Sequence, residues 1–436
     1  MEASSPRRNS RQAPAEESET SLDSLPPEIH GRIVSLLPVR DAVRTSAVCR
    51  AWRRIWESAP GLAHDWGYGA GPAHADAVLA RYTRPVRSFG FDLHKPSFRR
   101  ADDWVPLLAG KGVQMLRLHF SYGRNIDPHY LDESIFNCRD LTRLDLIGCE
   151  IPAAPVGRLA GFPNLTELYL YHVGFLDNGV RGLEAMIAGS PLLQLLWLDK
   201  LWFPEDEDED KDVEEGEDDH GFGRWIIRAP NLRDLSIVCD DDNGWHIEEL
   251  LYIEKVEIRS DNYATDRDFL KLLTSVSRVR ELCLKMPLRA SSALEGLSCS
   301  FVNLKSLSLH TNFCSLPTIL STLCLLKNAP NLEELSIQIL YDNLQYEEVG
   351  VDLLNAQWTD GSLAKLKNVS MHMATRESNE MHFIEFVMSK ARRLEEFCIR
   401  TVEHCSKSSK ELLVEIAKYG RASPQAEVVL GMEFIV

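Results

Sequence analysis

Residues 141–146 read Leu-Thr-Arg-Leu-Asp-Leu, and the phrase Leu-x-x-Leu-x-Leu decides how most of this 436-residue chain folds. It returns as Leu165-x-x-Leu168-x-Leu170, Leu193-x-x-Leu196-x-Leu198 and Leu232-x-x-Leu235-x-Ile237. Further copies are Val279-x-x-Leu282-x-Leu284, Leu304-x-x-Leu307-x-Leu309, Leu332-x-x-Leu335-x-Ile337 and Leu394-x-x-Phe397-x-Ile399, with degenerate ones beginning at Val86, Val113, Ile253 and Leu366. Most starts fall 24–28 residues apart. The interval from Leu193 to Leu232 is longer and holds the run EDEDEDKDVEEGEDD at 205–219; the interval from Leu332 to Leu366 holds a smaller insertion. An insertion that lengthens one repeat and leaves the next intact behaves as a loop. The phrase alternates with period two, which predicts a strand; an all-helical array would need i, i+3, i+4 spacing throughout. Helix-prone stretches such as GVRGLEAMIAG (179–189) and LPTILSTLCLLKN (316–328) lie between copies, and turns such as Pro163-Asn164, Pro230-Asn231 and Pro330-Asn331 precede them. Each unit has an apolar face that only its neighbours can cover, so the units stack into a curved solenoid.

A strand and a helix every 24–28 residues resembles the leucine-rich repeat. The resemblance implies an α/β fold, a right-handed horseshoe of about twelve irregular strand–helix repeats. Only Cys149 and Asn312 supply the residue that often closes such a repeat. Because side chains alternate along a strand, the two later leucines of each phrase point inward and their neighbours point onto the concave sheet. That rule places Met115, Arg117 and His119 there, followed by Arg143, Asp145 and Ile147, then Glu167, Tyr169 and Tyr171, then Leu195, Trp197 and Asp199. Asp234, Ser236, Val238, Lys255, Glu257 and Arg259 come next, and the later copies are small and polar: Ser306, Ser308, His310, Glu334, Ser336, Gln338, Asn368, Ser370 and His372. Ile147, Tyr169, Tyr171, Leu195 and Trp197 fall on three adjacent strands and form an apolar-aromatic patch, a candidate contact surface. The alternative is that Leu201-Trp202-Phe203, leading into the acidic run, folds over it.

Upstream, residues 22–60 read LDSLPPEIHGRIVSLLPVRDAVRTSAVCRAWRRIWESAP. Pro26-Pro27 suits a helix start, where a missing N–H goes unnoticed. Ile29, Ile33, Leu36 and Leu37 follow helical spacing, and Pro38 ends that helix. Asp41 is placed to cap a second helix carrying Val43 and Ala47. Val48, Trp52, Ile55 and Trp56 predict a third. About 40 residues hold little isolated core, so these apolar groups point to a module completed by a partner. Leu-Pro, then Ile-x-x-x-Ile-x-x-Leu-Leu-Pro, then Arg-x-Ser-x-Val-Cys-Arg-x-Trp resembles the F-box. That resemblance implies docking to a Skp-type adaptor, and through it to a cullin–RING ubiquitin ligase, by Leu25, Pro26, Ile29, Ile33, Leu36, Leu37, Val43, Val48 and Trp52.

Apolar residues make up 44% of the chain, enough for a sizeable core. The first 20 residues are polar, without the apolar stretch of a secretory signal, and are expected to be disordered. No apolar run reaches membrane-spanning length. Ten cysteines are scattered with no Cys-x-x-Cys pair, which points to a reducing cytosolic or nuclear compartment. Cys398 with His404 and Cys405 lacks a fourth ligand, so no metal is expected. Of the net charge of −17, the acidic run holds twelve acids and one lysine. It reads as a solvated loop, and the acidic balance argues against nucleic acid. Gly-rich phosphate loops, Gly-x-Ser-x-Gly and His-Glu-x-x-His are missing, so no catalytic residue and no cofactor is expected.

The layout divides into a tail (1–20), an F-box (21–60) and a repeat solenoid (61–436) with an acidic insertion at 204–220. This whole arrangement resembles plant F-box/leucine-rich-repeat proteins. The stretch from Lys365-Leu366-Lys367-Asn368-Val369 to Ser423-Pro424-Gln425-Ala426-Glu427-Val428 is similar to the FBD region that ends many of them. Val48-Cys49-Arg50-Ala51-Trp52 is closer to the general F-box than to the Leu-Ser-Arg-Arg-Trp of that plant group. The family implies a non-catalytic substrate receptor of an SCF-type ligase that captures a target protein on the concave face. A scaffold that binds the adaptor without a cullin is the second reading. Some relatives hold a small hormone over an inositol phosphate on a floor of Lys and Arg; here only Lys255 and Arg259 suggest one.

Overall fold

The structure, a computed structural model, describes residues 25–433 except 68, 124–125, 155–160, 176–178, 204–224, 249, 265–266, 287–293, 295, 341–345, 351–362 and 403–408. The expected tail, the acidic insertion and the residues 404 and 405 therefore lie outside the described residues.

Fourteen parallel strands form one sheet in strict sequence order. The twelve copies of the phrase all lie in it, and the ladder is two strands longer than the sequence count. His64–Asp65 pairs with Ser88–Leu93 at the start, and Glu427–Glu433 pairs with Glu396–Val402 at the end. The first addition has no leucine to announce it: His64 is in register with Phe89, so a histidine occupies the inward position. The leucine rows coincide across strands, with Leu116, Leu144, Leu168, Leu196 and Leu235 side by side and all buried. At roughly 25 cal/mol per Å2 of apolar surface removed from water, each such side chain contributes about 1.5–3 kcal/mol. The shared register therefore decides the fold.

The returning segments pack behind the sheet. Leu316–Lys327 has Pro317 in its first turn and seven buried residues; Phe269–Ser275 is capped by Asp268, whose carboxylate accepts from Lys271 N at 2.9 Å. Ser378–Lys390 buries Met381, Phe383, Ile384, Phe386 and Val387. The Pro-Asn turns do more than reverse the chain. Asn164, Asn231 and Asn331 donate their side-chain amides to the carbonyls of Arg139, Pro191 and Val302 in the preceding repeat, at 3.1, 2.8 and 2.7 Å. Asn303 does the same to Arg278. Each bond satisfies a turn carbonyl and ties one repeat to the next.

The repeat around the acidic insertion is closed by a separate device. Trp225–Ile227 pairs with Trp245–Ile247, and the Arg267 guanidinium lies 4.4 Å from the Trp245 ring centroid while its Nε donates to Asp242 Oδ2 at 2.6 Å. Both members of this ion pair are buried.

The F-box departs from expectation in three respects. Pro27–Ser35 and Val39–Arg44 are α-helices. The second helix stops at Arg44 and passes into a 3-10 segment at Thr45–Ala47, which holds Ala47, and the third predicted helix is instead a series of turns with a 3-10 segment at Ile55–Ser58. Asp41 does not cap the second helix; Pro38 stands at the cap position, and Asp41 lies inside the first turn, paired with Arg44 at 3.0 Å. Among the described residues the cysteines are free thiols. No described helix is long and apolar enough to cross a membrane.

Candidate protein-docking surfaces

The first surface is on the F-box. Helix Pro27–Ser35 buries His30, Gly31 and Val34, a face turned by about 120° from the apolar stripe read from the sequence. His30 lies against Trp52, ring centroids 4.8 Å apart. A Cβ on Gly31 would meet Pro60 at 3.5 Å, an ordinary van der Waals contact, so the helix lies against Pro60 without needing glycine there. Trp52, Trp56, Val34, Val39, Ala42 and Ala59 form the core. Trp52 thus supports the candidate face from within and is not part of it. The face itself is exposed: Ile29 at 44%, Val48 at 68% and Leu36 at 81%. Pro26 is exposed beside them, and Leu25, Ile33, Leu37 and Val43 are half-buried. A leucine 81% exposed at a helix end, on the same stripe as exposed Ile29, together with exposed Val48 in the turns that follow, is apolar surface awaiting cover.

This module is fixed to the solenoid. Tyr82 Oη donates to the Ala59 carbonyl at 2.6 Å, and Thr83 N and Oγ1 donate to the Glu57 carbonyl at 2.8 and 2.9 Å. Arg81 lies 5.0 Å from the Trp56 ring centroid and pairs with Glu57.

The second surface is concave. The alternation is as expected along Arg143–Ile147, Glu167–Tyr171 and Leu195–Asp199: the inward leucines are buried and the rest face out. Asp145, Tyr169 and Trp197 are neighbours in one row, and Ile147, Tyr171 and Asp199 in the next. Trp197 is 40% exposed; Ile147, Tyr169, Tyr171 and Leu195 are half-buried. The Tyr169 and Trp197 ring centroids stand 6.1 Å apart. On the other side of Tyr169 the Arg143 guanidinium lies 4.4 Å from the ring centroid and donates to Glu167 at 2.9 Å. Tyr171 packs edge-on against Tyr122 at 5.5 Å; the Tyr122 hydroxyl and burial push its phenol up to about 12. Leu201-Trp202-Phe203 does not cover the patch. Trp202 pairs with Gly174, and Phe203 stacks on Phe175 at 6.0 Å, extending the small ladder of His129–Tyr130, Cys149–Ile151 and Gly174–Phe175.

On the N-terminal side of the patch the surface is internally neutralised. Arg117 bonds Asp65 at 2.6 Å and Asp92 at 3.2 Å, and His119 stands between Asp92 and Asp145 at 3.3 and 3.1 Å. The basic floor near Arg259 is neutralised too. Arg259 pairs with Glu257 at 2.8 Å and Lys285 with Asp261 at 2.6 Å. Burial, with Arg259 and Lys285 nearby, holds His310 down to about 4, so it adds no charge there near neutrality. Among the described residues no group of His, Cys, Asp and Glu could hold a metal ion.

Residues 22–59 match the F-box-like family model, and residues 101–208 match the model described as FBD-associated F-box protein At5g56370, LRR repeats. The chain is an F-box joined to a leucine-rich-repeat solenoid. Its similarity to the F-box/FBD/LRR-repeat protein At1g13570 of Arabidopsis thaliana runs over 95% of this chain and 99% of the relative at 24% identity. The FBD-associated F-box protein At5g60610 of the same plant is 25% identical over 87% of this chain and 98% of its own. Among solved structures, one titled "Crystal structure of PEPR1-AtPEP1" covers 84% of this chain and 43% of its own at 14% identity, with a TM-score of 0.27, too low to add to the fold argument. F-box domains in general bind Skp-type adaptors in SCF complexes, and F-box/LRR proteins are typically non-catalytic.

The sequence missed His30 and Gly31 as core, because neither is apolar. A faint signal existed in the i, i+4 pair His30 and Val34, which lies about 100° around the helix from the more conspicuous Ile29 and Ile33.

Proposed function

We propose that this protein is the substrate-recognition subunit of an SCF-type ubiquitin ligase. The F-box holds a Skp-type adaptor and, through it, the cullin–RING machinery, while the concave face holds a target protein. The observation that carries this reading is the exposed Ile29, Leu36 and Val48 surface on an F-box whose own core is complete without it. The protein contributes binding and no chemistry; ubiquitin transfer belongs to the enzyme carried by the RING. Its free thiols suit the cytosol or nucleus of a plant cell.

On the concave side, Ile147, Tyr169, Tyr171, Leu195 and Trp197 are the proposed target contacts, Trp197 being the most exposed of them. A role as a scaffold that binds the adaptor without a cullin is the competing reading. Pull-down of the tagged chain separates the two. Adaptor together with cullin is the expected result; adaptor alone favours the scaffold, and neither one contradicts both.

A further inference from the structure

A groove separates the F-box from the first helix of the solenoid, and apart from Val43 neither docking surface includes it. Arg40, Val43 and Arg44 of helix Val39–Arg44 form one wall. His74, Ala77, Val78 and Arg81 of helix Pro72–Arg81 form the other. Spacings of three and four residues put each set on a single side of its helix. Trp56 and Trp66 make the floor, and Gly69, Ala70 and Gly71 close the end where the second helix begins. The groove holds about 400 Å3, inside the range of roughly 300–1,000 Å3 that small-molecule sites occupy.

Its polarity is the reverse of the chain's. Three arginines and a histidine line it, and no Asp or Glu does, in a chain of net charge −17. Two of the guanidiniums are answered by carboxylates outside the lining. Arg44 pairs with Asp41 at 3.0 Å on the exposed side of its helix, and Arg81 pairs with Glu57 while lying on the Trp56 ring. Arg40, one turn before Arg44, has no acidic partner among the described residues. One positive charge is therefore left over, which matches a monoanion better than a phosphate dianion. The start of helix Pro72–Arg81 adds to it, because no side chain caps that end and a helix N-terminus is electropositive. In the floor, Trp66 is buried with its indole Nε1 unpaired, whereas Nε1 of Trp56 donates to Ser46 at 3.1 Å. A buried donor without an acceptor costs free energy, so an acceptor brought in by a ligand is favoured there.

We propose that this groove binds a small organic monoanion with a flat apolar body, a carboxylate carried on one or two fused rings. The Arg40 guanidinium holds the carboxylate, because its planar fork matches both oxygens. The rings lie on Trp66 between Val43 and Val78. Seated so, the ligand touches the F-box and the solenoid at once and ties them together. The glycine-rich end, and Arg81 held against Trp56 at the far end of the helix, favour a compact molecule over a peptide running through. The site lies off the concave sheet and does not depend on the receptor reading.

The test titrates 2-naphthoate into the full chain, with neutral 2-naphthamide as its isostere, followed by ligand-observed NMR. The acid should bind at least about tenfold more tightly than the amide. Arg40→Ala should remove that difference. Ala77→Trp, which fills the groove from an exposed helix position, should abolish binding of both compounds. Both variants alter exposed residues, and unchanged melting temperatures show that they fold. Equal binding of acid and amide would overturn the anionic site. A naphthoate signal indifferent to Ala77→Trp would place the probe elsewhere and overturn it as well, as would no binding at millimolar probe. An acidic hexapeptide that binds the parent chain and neither variant, where naphthoate does not bind, would give the groove to a protein segment and overturn the small-molecule assignment.

Discussion

Helix Pro27–Ser35 and strand Arg143–Ile147 carry equally clear apolar periodicity and put it to opposite uses. In the strand the periodic residues Leu144 and Leu146 are buried. In the helix the periodic residues Ile29, Ile33 and Leu36 face outward or stand at the rim, and the buried positions are His30, Gly31 and Val34. The difference lies in what is available to cover each face. Every repeat has a neighbour in register on both sides, so its leucines find partners within the chain. The F-box has too little mass for that and closes its core with Trp52 and Trp56 instead. The best apolar stripe of the small module is then left over for another protein.

The largest effect that can break this comparison is in the core. Leu144→Ala should lower unfolding free energy by about 2–5 kcal/mol, whereas Leu36→Ala should change it by no more than about 0.5 kcal/mol. Denaturant titration of both variants decides it, and equal losses would mean that the helix stripe is packed.

The buried histidine at the junction sharpens it next. His64 occupies a leucine position, and neither ring nitrogen makes a well-formed hydrogen bond. Burial lowers its pKa to about 4; the Leu62 carbonyl draws it back somewhat, and Lys111 adds to the lowering. The unfolded chain takes up this proton near pH 6.5 and the folded one only near 4, so the fold loses stability as pH falls through that window and is unaffected above it. The loss is about 2 kcal/mol at pH 5. His64→Leu should flatten this part of the stability–pH curve. An unchanged slope in the variant would show that His64 is already protonated in the fold.

The smallest effect belongs to the acidic insertion. Deletion of Glu205–Asp219 should shift stability by about 1 kcal/mol at most, since loop length enters only logarithmically. A thermal melt that drops well beyond this would show the run packed onto the solenoid.

The solenoid was legible because its signal repeats: twelve imperfect copies of one phrase reinforce each other, and register follows from them. The two terminal strands were not legible, because Gly61, His64 and Trp66 replace all three leucines of the phrase in the first and Gln425 and Val428 replace the first two in the last. The turns over Thr45–Ser58 were misread as a helix because tryptophans at 52 and 56 reach the core equally well from an α-helix or from successive turns, and a short stretch gives periodicity no power to choose. The concave residues were legible through alternation. That Arg143 lies on Tyr169 while Trp197 is left open was not, since it depends on which rotamers meet across strands.

The central claim is that the outward stripe of the F-box is a docking face. Calorimetric titration of a purified Skp-type adaptor into the full chain and into the double variant Leu36→Ala, Val48→Ala tests it most directly. A loss of affinity of about thirtyfold or more, with the melting temperature of the variant unchanged, is the predicted result. Undiminished affinity in a folded variant would contradict it.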